Sequence, residues 1–144
     1  MKIFISKSPE ETIKIAEEFT RKLKSGDIIG LEGELGSGKT VFVKGIAKQL
    51  GCKDEPLSPT FTIINEYYGK VPLYHFDLYR IDTIDELETT GYYEYFKKEG
   101  ICVIEWIDKF PEILPDEGYI IKLEVIDELT RKITIGKKNE IPGD

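Results

Sequence analysis

The 144-residue chain is 40% hydrophobic and 11% aromatic, which excludes a disordered chain and suffices for one domain around a single core. Its net charge of −7 argues against a free-standing nucleic-acid binder, because neutralising phosphates takes a basic surface. No apolar stretch reaches the length of a membrane span and residues 1–6 do not read as a signal peptide. Cys52 and Cys102 lie outside any metal-ligand spacing, so a cytoplasmic protein with reduced structural thiols is expected.

Along the chain, residues 2–5 read as a short strand. Ser8-Pro9-Glu10-Glu11 then reads as a helix start, with Ser8 as N-cap, Pro9 in the first turn and Glu11 closing a capping box. Ile13, Ala16, Phe19 and Leu23 give that helix an apolar face, and Ser25-Gly26 is expected to end it. Residues 27–32 form a buried strand and residues 41–50 a second helix, stopped by Gly51. Residues 53–59 read as loop. Residues 61–68 and 71–76 read as two strands of a hairpin turning at Gly69-Lys70. Short helical pieces at 84–87 and 92–97 flank Gly91. Ile101-Cys102-Val103-Ile104 is a continuous apolar run suited to a central parallel strand. Residues 119–126 and 131–135 read as two further strands, the second as a possible edge, and residues 137–144 as a frayed tail. The expected architecture is one domain over residues 1–136. It is an α/β P-loop sheet, mostly parallel with antiparallel additions, flanked by helices.

Between the strand at 27–32 and the helix at 41–50 stands Gly33-Glu34-Leu35-Gly36-Ser37-Gly38-Lys39-Thr40, which fits G-x-x-x-x-G-K-[ST] at every fixed position. Its glycines let successive N–H groups curl inward around an anion, and the helix that follows adds its positive end. In this pattern Lys39 reaches the β- and γ-phosphates and the Thr40 hydroxyl binds Mg²⁺. The motif, with Val41 just after it, is the expected nucleotide-binding segment.

Such a loop needs acidic partners for Mg²⁺ and for the attacking water. Glu105 follows the apolar run at 101–104, at the strand end where open α/β sheets bind ligands. It is expected to hold Mg²⁺ or its water, the alternative being an exposed strand-end carboxylate. Asp77 follows residues 73–76 in the same kind of position; the alternative is a turn-forming Asp paired with Arg80. His75, the only histidine, shares a strand face with Asp77 and is expected to be a satisfied structural residue. Ser58-Pro59-Thr60 is either a switch that closes on the γ-phosphate or an ordinary proline turn. Trp106 either packs beside the nucleotide or lies in the core. The chain has no Asn-Lys-x-Asp guanine-reading motif and no Arg-rich lid, which disfavours a GTPase and a nucleoside kinase.

Four motifs occur in order: Gly33 to Thr40; Ser58-Pro59-Thr60-Phe61-Thr62-Ile63; Tyr74-His75-Phe76-Asp77-Leu78-Tyr79-Arg80; and Val103-Ile104-Glu105-Trp106. Together they resemble the TsaE (YjeE) family, small bacterial ATPases required for threonylcarbamoyladenosine at tRNA position 37. The resemblance implies a P-loop sheet that binds ATP or ADP with Mg²⁺ and hydrolyses ATP slowly alone. It implies action on the TsaD and TsaB proteins, with tRNA met only through that complex and the threonylcarbamoyl bond formed elsewhere. By position, Lys39 and Thr40 would hold phosphates and Mg²⁺, Glu105 would help hold the metal, and Asp77 would support hydrolysis. Thr60 would belong to a mobile switch. The start of the first helix, from Pro9 to Thr12, would lie near the adenine, and Arg131 would approach the nucleotide. Ile107 departs from the family, whose members often have Pro there. Two other readings of the P-loop are a small-molecule kinase and a nucleotide-dependent interaction switch.

Overall fold

Ser8 opens the first helix as its spacing predicts: its Oγ accepts the Glu11 N–H at 3.1 Å. Glu11 reaches back one residue further than a simple capping box, to the Lys7 N–H at 2.7 Å. The structure is a computed structural model that describes residues 1–54 and 63–141. Helix α1 spans Pro9–Thr20. It ends before the expected Ser25-Gly26, because turn bonds such as Leu23 N–H to Thr20 O take over. Leu23 still packs on the core from that turn. Helix α2, Lys39–Leu50, stops at Gly51, which adopts φ 76°. Two short helices, α3 (Ile84–Thr89) and α4 (Tyr92–Lys97), flank Gly91 as expected.

The described residues form one seven-stranded sheet. Its strands are β1 (Lys2–Ser6), β2 (Ile28–Glu32), β3 (Ile64–Tyr68), β4 (Pro72–Asp77), β5 (Ile101–Glu105), β6 (Tyr119–Val125) and β7 (Arg131–Lys137). The order is β1-β7-β6-β2-β5-β4-β3. The middle strands β6, β2, β5 and β4 run parallel, while β3, β7 and β1 add antiparallel edges. The expected mixed α/β sheet is therefore present. The hairpin is β3–β4, and residues 61 and 62 of its first expected strand lie outside the described residues.

Two corrections concern the far edge. The strand at 131–137 is interior, because β1 pairs with it from Lys2↔Ile135 to Ser6↔Arg131 and takes the edge itself. Residues 137–141 also stay packed, and residues 142–144 of the expected tail lie outside the described residues. Lys137 closes β7, the Lys138 N–H bonds Gly118 O at 2.8 Å, and Ile141 is buried. An apolar residue with a hydrophobic groove to enter does not fray.

The continuous apolar strands β2 and β5 are buried on both faces. On one face Ile29, Leu31, Val103 and Ile121 pack under α1 and α2 through Ala16, Phe42, Val43 and Ile46. On the other, Ile28, Cys102, Ile104 and Phe76 meet Leu78, Leu87, Ile107 and Leu114. Both cysteines are free thiols, and burial pushes Cys102 up to about 12, so it is inert. No helix among the described residues is long and apolar enough to cross a membrane.

Phe42 is fully buried and lies 6.0 Å from the Phe19 ring, joining α2 to α1. Phe42→Ala should lower unfolding free energy by about 3–5 kcal/mol, read as a fall in urea midpoint. A midpoint within error of the unaltered protein would show that this face does not hold the helices.

Candidate nucleotide site

Residues 33–38 link the end of β2 to the start of α2, so the glycine loop opens at the C-terminal edge of the parallel strands. The loop lies tight against β6. A Cβ on Gly33 would come within 2.6 Å of Leu123 O, so glycine is required there. Gly38 caps α2 with φ 103° and leaves the first-turn N–H groups to other acceptors. Leu35 stands exposed at the loop tip and Ser37 is buried beneath it. Val41 lies half-buried in the first turn of α2.

Lys39, only 5% exposed, is folded back along the loop. Its Nζ donates to Gly33 O at 2.5 Å and Glu34 O at 2.9 Å, and stands 4.1 Å above the Trp106 ring. Burial lowers its pKa, while the carboxylates of Glu105, Asp108, Asp77 and Glu34 pull the other way. Trp106 is half-buried and holds φ 65°, the one non-glycine residue with positive φ among those described. Tyr79 packs on it at 5.0 Å. Trp106 is thus neither plain core nor free surface: it is the wall behind Lys39.

Glu105 is 3% exposed, so the strand-end carboxylate is buried and not a solvated one. It accepts from the Thr40 hydroxyl at 3.2 Å and, through the same Oε2, meets His75 Nε2 at 2.5 Å. The sequence predicts a satisfied structural histidine at His75. It is fully buried, but among the described residues its one bond goes to Glu105 and its Nδ1 has no partner. Sequence reasoning missed this link. The signal was available: a lone histidine two residues before Asp77 falls on the strand face that Glu105 shares by register.

Asp77 stands in register with Glu105. Its Oδ1 accepts the Tyr79 N–H at 3.0 Å, so it does form the turn. Burial raises its pKa first, and the Glu105 charge adds to that. Arg131 reaches the loop from β7, donating to Gly36 O at 3.0 Å and to the carbonyls of Asp127 and Glu128. The Ser6↔Arg131 pairing brings the start of α1, and Pro9 with it, towards the same edge. Thr12, however, is buried and its hydroxyl is engaged with Ser6 at 2.7 Å. Thr60 lies outside the described residues.

The residues fit a nucleotide and Mg²⁺ by their chemistry. Thr40 and Glu105 offer hard oxygens side by side at the helix start, as Mg²⁺ prefers. No cluster of three His, Cys, Asp or Glu is arranged as a metal cage among the described residues. Mg²⁺ in phosphate sites needs none, since it takes one or two protein ligands and fills the rest with phosphate oxygens and water.

A family model described as threonylcarbamoyl adenosine biosynthesis protein TsaE matches residues 6–133. The chain belongs to the TsaE family. Among its relatives, the TsaE of Bacillus subtilis is 44% identical, over 93% of this chain and 86% of that one. The TsaE of Aquifex aeolicus is 40% identical over 96% and 98%, and that of Treponema pallidum 37% over 91% and 97%. Each is described as a tRNA threonylcarbamoyladenosine biosynthesis protein. The crystal structure of YdiB from Bacillus subtilis superposes with a TM-score of 0.76 at 39% identity, covering 94% of this chain and 84% of that one. The sheet described above is thus the TsaE fold.

Two measurements probe this TsaE site as it stands. Trp106 is the only tryptophan, so Lys39→Ala should shift its emission even without nucleotide; identical spectra would show that the ammonium does not rest on the ring. Asp77→Asn should raise Tm at pH 7. The folded carboxyl titrates above its unfolded value, so its charged form opposes folding once pH exceeds both. The gain should shrink as pH falls through the folded value and vanish below the ordinary carboxylate range near about 4. A pH-independent gain would exclude this cause.

Proposed function

We propose that this protein is a Mg²⁺-dependent ATPase serving threonylcarbamoylation of tRNA adenosine 37. It acts on the TsaD and TsaB proteins and does not form the threonylcarbamoyl bond itself. Membership of the TsaE family supports the pathway. The single observation that supports ATP chemistry is the half-buried Thr40 hydroxyl bonded to the buried Glu105 carboxylate beside Lys39, at the mouth of a phosphate-type loop.

In this reading the N–H groups of residues 33–40 and the positive end of α2 bind the phosphates. Lys39 leaves the Gly33 and Glu34 carbonyls for phosphate oxygens, a stronger, charge-assisted partner. Thr40 and Glu105 would hold Mg²⁺, which would offset the negative charge of the phosphates. Asp77 lies across the register from Glu105, and its raised pKa suits an acceptor for the proton of an attacking water. Trp106 keeps bulk water from the Lys39 side. The acidic surface suits a protein that meets tRNA through partners.

Multiple-turnover modification of tRNA by TsaD and TsaB should require this protein. Glu105→Ala should still bind nucleotide but lose Mg²⁺-dependent hydrolysis by about 100-fold and fail to support repeated turnover. Equal turnover without the protein would refute the pathway role. Unchanged hydrolysis in Glu105→Ala would remove that residue from the reaction.

A further inference from the structure

His75 is the buried titratable group that the reading above leaves without a role. It sits mid-strand in β4, between Tyr74 and Phe76, and none of it reaches solvent. On its sheet face the register neighbour is Val103. An aliphatic side chain would suit such a place better. A buried imidazole whose Nδ1 has no partner is less stable there than a satisfied one. Among the described residues its ring makes a single polar contact, Nε2 to Glu105 Oε2 at 2.5 Å. A carboxylate can only accept, so Nε2 carries the proton and donates.

The consequence for Glu105 is orientation. The strand ladder fixes the backbone of Glu105, the last residue of β5, but not its side-chain torsions, and rotation about them would sweep the carboxylate away from Thr40. The His75 bond pins Oε2 from inside the sheet, while Thr40 meets both oxygens from α2, Oε2 at 3.2 Å and Oε1 at 3.4 Å. His75 is itself fully buried, with the Tyr67 ring 6.2 Å away on β3. The order is therefore rigid strand, imidazole, carboxylate, hydroxyl.

We propose that His75 is a positioning residue: it holds the Glu105 carboxylate against Thr40 so that the pair is pre-set for the divalent cation. This rests on the Mg²⁺–nucleotide reading of the site. A side chain that orients a metal-binding carboxylate without touching the metal typically changes affinity by about 10–100-fold when removed.

Mn²⁺, followed by its electron paramagnetic resonance in the presence of ADP, is the probe. Three variants of the full chain separate the roles of shape and hydrogen bond. His75→Phe keeps the ring and loses the bond. His75→Gln places an amide N–H near the position of Nε2. His75→Asn is polar but too short to reach. His75→Phe and His75→Asn should bind Mn²⁺ about 10–100-fold more weakly, and His75→Gln should recover most of the loss. ADP binding in EDTA should stay within about two-fold in all three, because the phosphate loop is untouched. If His75→Phe fails to fold, the comparison of His75→Asn with His75→Gln carries the test.

Wild-type Mn²⁺ affinity in the Phe or Asn variant would overturn the positioning role. So would equal losses in Asn and Gln, which would mark a packing defect. If the unaltered protein holds no Mn²⁺ with ADP, the metal reading itself fails and the proposal falls with it.

Discussion

Hydrogen bonding among β2, β5 and β4 holds Leu31, Glu105 and Asp77 in one row across the sheet, and the chemistry of the molecule stands on that row. Parallel strands that end in step leave their last side chains at a common height. Here the glycine loop leaves from one of them and two carboxylates crown the others. A slip of one residue in either pairing would turn Glu105 or Asp77 to the opposite face, away from Thr40. The packing on both faces resists that slip, since it would exchange Val103 and Ile29 with Cys102 and Ile28 between two filled cores.

The row is electrostatically demanding. Lys39, Glu105 and His75 are nearly or wholly buried, and Asp77 is half-buried beside them. Burial disfavours the charged forms of lysine and carboxylate alike, lowering Lys39 and raising Asp77. Their hydrogen bonds run to one another, to the loop carbonyls and to the Tyr79 N–H, with His75 Nδ1 left over. Polyphosphate with its cation would supply charges of both signs to the same space, which is the sense in which the arrangement suits such a ligand.

Trp106 shows the same preference for the site over local comfort. A bulky residue in the left-handed region costs about 1–2 kcal/mol. That turn places the indole over Lys39 and under Tyr79, and lets Ile107 bury fully against β2 at Gly30. Strain and cation–π contact are thus paired in one residue at the strand end.

Much of this was legible in the chain. The glycine loop, the caps at Ser8 and Gly51, and the apolar runs of β2 and β5 are local signals, carried by residues adjacent in sequence and governed by backbone sterics. Family membership was legible too, because the ordered motifs are themselves sequence. Strand partners were not. The place of β1 outside β7, the packing of Ile141 and the early end of α1 depend on which surfaces remain to be covered after the core has formed. The bond from His75 to Glu105 was also hidden, because it spans thirty residues and exists only where two strands lie in register. The sequence by itself determined a phosphate loop and the acids available to it. Only the tertiary structure decided which acid meets Thr40 and what holds it there, since hydrogen-bond reach is a matter of ångströms and not of order along the chain.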